Sequence, residues 1–184
     1  MSAVVYWRRT DVEGLERLEL TDTRDGVTAS GTVICLEDGG FRLDHTWSLD
    51  AGWRTLHVRV AVHGRQTQGV LRLDRAGDGW LVDGVPRLDL DGAQEPDLSV
   101  TPFCNSLPIR RMRADASTTL DTAFIDGPAL TVARSRQRYE PLGPGRVRYV
   151  DLGLSRGFEA DLTVDSAGLV VRYEHLFERV EPTV

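Results

Sequence analysis

The feature that most constrains this chain is a period of two, repeated from one end to the other. Phe41, Leu43, His45, Trp47 and Leu49 alternate with Arg42, Asp44, Thr46, Ser48 and Asp50. Leu56, Val58, Val60 and Val62 repeat the pattern, as do Phe158, Ala160, Leu162 and Val164. Leu169, Val171, Tyr173, His175 and Phe177 close the series. Successive side chains of a strand point to opposite faces, so each run predicts a strand with one buried and one wet face. Glycine turn signals separate the runs, among them Asp25-Gly26, Asp38-Gly39-Gly40, Gly77-Asp78-Gly79, Asp126-Gly127-Pro128 and Gly143-Pro144-Gly145. Strands joined by short turns form a meander, and a long meander curls to protect its edges. The expectation is an all-β single domain over 1–184: an antiparallel, strongly curved barrel or half-barrel of roughly ten to twelve strands at typical strand length.

Two segments depart from the rhythm. In DLSVTPFCNSLPIRRMR (97–113), Thr101 can cap a helical turn that starts at Pro102, with Phe103 and Leu107 on one face. Pro108 is expected to stop that turn near 101–108 and lead into an extended, arginine-rich piece. Near the start, Thr10 and Glu13 have capping-box spacing, but Gly14 and the Leu18/Leu20 alternation favour a strand.

Charge excludes some functions. The net charge of −6 argues against a general nucleic-acid binder, which needs a positive surface to displace counterions. All 22 basic residues are arginine, and eight of them fall in 108–148 against four acids. Cys35 and Cys104 are too few for a disulfide framework and lack metal-ligand spacing, so buried free thiols are expected. The four histidines show no metal motif, no cofactor fingerprint is present, and no cofactor is expected. His45 and His175 read as core histidines. The short apolar run before Arg8-Arg9 has the wrong order for a secretory signal, and no window is long and apolar enough for a membrane span; the expected compartment is the cytoplasm.

Stretches spread along the chain resemble a bacterial family known as "putative glycolipid-binding" proteins. TPFCNSLPIRRM (101–112) is similar to the family signature TPFTNTLPIRRL. GTV at 31–33, the turn Asp78-Gly79-Trp80, QRYEPL at 137–142 and LTVDSAGLVVRYEHLFER at 162–179 follow in the expected order. Cys104 and Ser106 replace threonines, Met112 a leucine and Phe177 a tryptophan, and Glu95-Pro96 precedes Asp97 where a D-x-D pattern is expected. The resemblance implies a curved β-barrel or half-barrel, a shape shared with carriers that shelter acyl chains, and a small amphiphilic or glycolipid-like ligand.

Candidate ligand contacts are Asp97, Asn105, Arg110, Arg111, Gln137, Tyr139 and Trp47. Arginine forks grip anionic heads, and Trp47 is either core or part of an apolar concavity. Trp53 and Trp80, beside turns, suit a rim. In an extended piece Arg110 and Arg111 would face opposite ways, with Arg113 sharing Arg111's side. Arg134, Arg136 and Arg138 alternate with Ser135, Gln137 and Tyr139, and the pattern leaves open which set faces inward. The first reading is a non-catalytic binder of an amphiphile with a polar or anionic head. A second is an enzyme in which Asp97 is acid or base and Arg110 and Arg111 clamp an anion. A third is an edge-strand interaction module.

Overall fold

The computed structural model describes residues 2–64 and 67–182, with residue 38 by its backbone alone. One sheet of fifteen strands curls around the interior without closing. The first eight strands are β1 (Ser2–Arg9), β2 (Gly14–Asp22), β3 (Val27–Cys35), β4 (Phe41–Leu49), β5 (Thr55–Gly64), β6 (Gln68–Ala76), β7 (Gly79–Val82) and β8 (Val85–Pro86). Then come β9 (Glu95–Leu98), helix α1 (Phe103–Arg111), β10 (Thr118–Asp126), β11 (Thr131–Gly143), β12 (Arg146–Asp151), β13 (Glu159–Val164), β14 (Val170–Tyr173) and β15 (Phe177–Val180). The count exceeds ten to twelve because β7, β8, β9, β14 and β15 are each only two to four residues long.

The two chain ends meet in the middle of the sheet, where β1 pairs with β15. From there the order runs out to β8 on one side and back through β14 to β9 on the other. A connection with a 3₁₀ turn at Leu88–Leu90 carries the chain from one edge to the other. Every pairing is antiparallel except β9 with β10. Parallel neighbours need a crossover, and α1 supplies it.

The alternation lands as the pattern requires. Phe41, Leu43, His45, Trp47 and Leu49 of β4 are buried, as are Glu16, Leu18 and Leu20 of β2. Both cysteines are free and buried. The run ending in Phe177 breaks, however. His175 takes a left-handed φ of 69° in the turn between β14 and β15, and its ring is exposed rather than in the core. Trp53 and Trp80 are buried, not on a rim; Trp80 donates its indole N–H to the Ala93 carbonyl at 2.9 Å.

Helix α1 lies inside the curl, with Phe103 to Ile109 all buried. The helix starts one residue later than expected, with Pro102 at the N-cap position, and Thr101 Oγ1 accepts the N–H of Phe103, its first residue, at 3.1 Å. The helix then continues through Pro108 to Arg111 instead of stopping. Proline removes one amide hydrogen and crowds one carbonyl, a cost of about 3 kcal/mol in a helix interior. Burial of Leu107 and Ile109 and the anchoring of Arg111 offset it, since packing rather than propensity stabilises short helices. The expected extended piece at 109–111 is therefore helical.

A polar network ties α1 to the sheet. Glu16 Oε1 receives Thr101 Oγ1 at 2.8 Å and meets His45 Nε2 at 2.9 Å. Trp47 Nε1 donates to His45 Nδ1 at 2.9 Å, so Nε2 carries the ring proton toward Glu16. His45 is thus the satisfied core histidine that the alternation predicts. Gly31 makes room for it: a Cβ there would sit 2.2 Å from His45 Nε2.

Candidate functional site

The sheet's inward face is mostly apolar over β2–β5, with Glu16, His45 and Thr55 as buried polar members, and becomes more polar and aromatic over β9–β13. Gln137 of β11 stands opposite Asp151 of β12, and Tyr139 opposite Tyr149. Ser135, Gln137 and Tyr139 point inward, while Arg134 and Arg136 face out and pair with Asp121, and Arg138 with Glu140. This answers the question left open by the alternation. The inward set looks unlike a core because it backs the polar wall of a cavity.

That cavity is partly open, measures about 260 Å³, and sits between β9, the start of α1, and strands β10–β15. Its polar wall comprises Asp97, Ser99, Thr101, Asn105, Asp151 and Ser155. Its apolar wall includes Phe124, Tyr149, Phe158, Tyr173 and Phe177. Four of these rings form a chain with centroids 5.8–6.4 Å apart, from Tyr149 and Phe158 through Tyr173 to Phe177. No arginine lines it among the described residues.

Asp97 is held from behind. Its Oδ1 accepts the Cys104 thiol at 3.0 Å, and its Oδ2 accepts the Gln137 amide. Tyr139 donates to Gln137 Oε1 at 3.1 Å and accepts from Asn105 Nδ2 at 2.9 Å. Burial raises the Asp97 pKa and Asp151 adds to the rise, while the bonds from Cys104 and Gln137 oppose it. Burial, and then the Asp97 charge, hold the Cys104 thiol well above its ordinary pKa, so it is not an activated nucleophile. Asp151 Oδ1 accepts the backbone N–H groups of Gly153 at 2.8 Å and Ser155 at 3.1 Å. Its Oδ2 accepts the Tyr149 hydroxyl at 3.1 Å.

Of the sequence candidates, Asp97 and Asn105 reach the cavity, and Gln137 and Tyr139 position them from the layer behind. The other three lie elsewhere. Arg110 stacks on Trp53, with its guanidinium carbon 3.7 Å from the ring centroid. Arg111 pairs with buried Glu95 at 2.7 Å and donates to the Trp53 carbonyl at 2.6 Å. Both are carried away from the cavity because their segment is helical, and Arg113, beyond the helix, pairs with exposed Asp115. Trp47 is 1% exposed and packs edge-on against Phe103 at 5.6 Å, in the core. Among the described residues, no three His, Cys, Asp or Glu side chains are grouped so as to hold a metal ion, and no helix is long and apolar enough to cross a membrane.

Sequence reasoning missed Asp151 and the aromatic wall. The signal was present: Val147, Tyr149 and Asp151 alternate, and Tyr173 and Phe177 lie on faces already read as buried.

The family model described as "Putative glycolipid-binding" matches residues 4–179. The chain belongs to this family. The crystal structure of a DUF1089 family protein from Pseudomonas aeruginosa superposes with a TM-score of 0.79 at 29% identity, covering 90% of this chain and 92% of that one. No curated protein matches the chain. The family match spans both halves of the cavity, from Asp97 on β9 to Phe177 on β15.

Proposed function

We propose that the cavity holds the sugar head of an amphiphile, gripping its hydroxyls with Asp97, Asp151 and Asn105 and stacking it on the aromatic wall. The observation that carries this reading is the composition of the lining: two carboxylates, hydroxyl and amide groups, and a row of rings, with no cation. Carboxylates accept several hydroxyl hydrogen bonds at once, and aromatic faces pack against the C–H surface of a sugar ring. An anionic head fits poorly, because Asp97 and Asp151 would repel it. At about 260 Å³ the cavity falls just below the roughly 300–1,000 Å³ of most small-molecule sites. It suits one head group, with the tail leading outward, since Trp47, Phe103 and Leu107 already fill the interior beside it. The family description, glycolipid-binding, supports the same class of ligand.

Calorimetric titration with octyl glucoside and with octanol separates head from tail. The reading expects the glucoside to bind at least roughly tenfold tighter, one good charged hydrogen bond's worth. Equal affinities would show that the protein grips only the chain, and would overturn it.

One observation favours a second reading, acid–base chemistry on the bound sugar: Asp97, with its raised pKa, shares the cavity with a second carboxylate. Arg110 and Arg111 lie outside the cavity, so no arginine clamp takes part. Release of nitrophenol from aryl glycosides, abolished in Asp97→Asn, would support turnover; no release would leave binding alone.

A further inference from the structure

A second cavity, of about 350 Å³, shares no residue with the first. Its wall brings together Arg54 from the turn before β5, Arg75 from β6 and Arg111 from the end of α1, with Glu95 and Asp78. Two of the three guanidinium groups are fixed in place. Arg75 donates to the Thr55 carbonyl at 2.6 Å and the Gln94 carbonyl at 2.7 Å, and lies 4.3 Å from the Trp80 ring centroid. Arg111 is held by the Trp53 carbonyl and by Glu95.

Of these cations only Arg111 has a close carboxylate partner among the described residues. Glu95 is buried and already engaged: its Oε2 accepts the Thr55 N–H at 3.2 Å and hydroxyl at 2.5 Å, and its Oε1 serves Arg111. It reaches Arg75 only at 3.9 Å. Arg54 is exposed and forms no ion pair with any described residue. The lining sets three guanidinium groups against Glu95 and Asp78, with Asp50 in the adjoining turn as a further acid. Burial lowers the Arg75 pKa; Glu95 and then Asp50 oppose this, while Arg54 and Arg111 add to it. The cations therefore crowd one another across an open space, which an anion between them would relieve.

We propose that this cleft binds an oxyanion of the phosphate class, free or as a lipid head group. Planar guanidinium forks match phosphate oxygens in a way a point charge cannot. Backbone carbonyls hold Arg75 without neutralising it, and the Trp53 carbonyl with Glu95 fixes Arg111, so the donors are preorganised before the anion arrives. Arg54, the exposed member, closes on it from the solvent side. The site is independent of the sugar cavity and stands or falls separately from it.

The test is a titration of the full chain with inorganic phosphate at constant ionic strength, with chloride as reference, followed by thermal melting. Saturable stabilisation beyond chloride is expected. Arg54→Gln, whose side chain supports nothing else, should weaken it roughly tenfold by removing one charged donor. Asp78→Asn should strengthen it about threefold by removing a repelling charge. Vesicles of phosphatidylcholine with and without phosphatidic acid then identify the source. Binding to the acidic vesicles that Arg54→Gln abolishes assigns the anion to a lipid; phosphate binding without vesicle binding assigns it to a soluble phosphate. No phosphate effect beyond chloride, or an effect that Arg54→Gln leaves unchanged, would overturn the proposal.

Discussion

Asp97→Asn should make the protein more stable and a poorer binder at the same time. Asp97 is a half-buried carboxylate at the cavity wall, with a raised pKa and no cation at hydrogen-bonding distance among the described residues. Among the other buried carboxylates, Glu95 has the Arg111 cation, Glu16 accepts from His45 and Thr101, and Asp151 accepts two backbone N–H groups and the Tyr149 hydroxyl. Asparagine is close to isosteric and can keep both contacts. Its oxygen accepts from Gln137, and its amide faces Cys104, whose thiol can turn to the Thr101 carbonyl at 3.2 Å. Removing a partly buried charge that has no cation partner should contribute about 1–2 kcal/mol, below the several kcal/mol penalty for burying an ion fully. In a domain of this size that is about 2–8 °C in Tm.

The pH dependence has a definite sign. A folded pKa above the unfolded value of about 3.9 leaves stability intact below that value. Stability is then lost as pH rises through the folded pKa. The Tm advantage of Asp97→Asn should therefore be largest at neutral pH and shrink on acidification toward about pH 4. Taking the difference between the two proteins cancels the opposite slopes of Asp161 and Asp165. The first is lowered chiefly by its bond to Arg148; the second is lowered, despite burial, by its bond to Arg179. Binding moves the other way. A charged acceptor exceeds a neutral one by about 1 kcal/mol or slightly more per bond, so octyl glucoside should bind roughly tenfold more weakly. Thermal melts across this pH range, with calorimetric titration at neutral pH, read both. A variant that is less stable at neutral pH, or that binds the glucoside unchanged, would refute the reasoning.

Three other substitutions probe how the site is supported. Gly31→Ala places a methyl group where the His45 ring lies, so the histidine must leave Glu16 and Trp47; a loss of about 2–5 kcal/mol in chemical denaturation is expected from the buried groups left unpaired. Thr101→Val removes both the acceptor of the Phe103 N–H and the Glu16 contact, costing about 2–3 kcal/mol and loosening Asn105, which glucoside titration should register as weaker binding. Arg136→Ala touches only an exposed pair with Asp121 at 3.8 Å and should shift stability by less than about 0.5 kcal/mol with binding unaltered.

The fold was largely legible because a buried sheet face imposes its period on the sequence, as β4 does without exception. It was less legible where the inward face is not apolar. Ser135, Gln137 and Tyr139 carry the same alternation as β4, but a strand that backs a polar cavity and a solvent-facing one share a composition, so only their neighbours decide. Glu16 could have been found from the Leu18/Leu20 alternation, which puts a carboxylate on a buried face and requires a partner for it. The helix through Pro108 was hidden because a local rule for proline was overridden by long-range contacts, notably Arg111 with Glu95. That single element moved Arg110 and Arg111 away from Asp97, and with them the expectation of an anion grip beside the sugar site. The pairing of β1 with β15, which sets the two chain ends at the centre of the sheet, leaves no local trace at all.

The sugar-head reading is tested most directly by mapping amide chemical shifts of the full chain as octyl glucoside is added. It predicts that the perturbed amides cluster at 97–99, 105, 151–155 and 173–177, around the aromatic cavity, and that octanol fails to reproduce them. Shifts confined to the arginine cleft or spread over the outer sheet face, with the cavity residues unmoved, would contradict it.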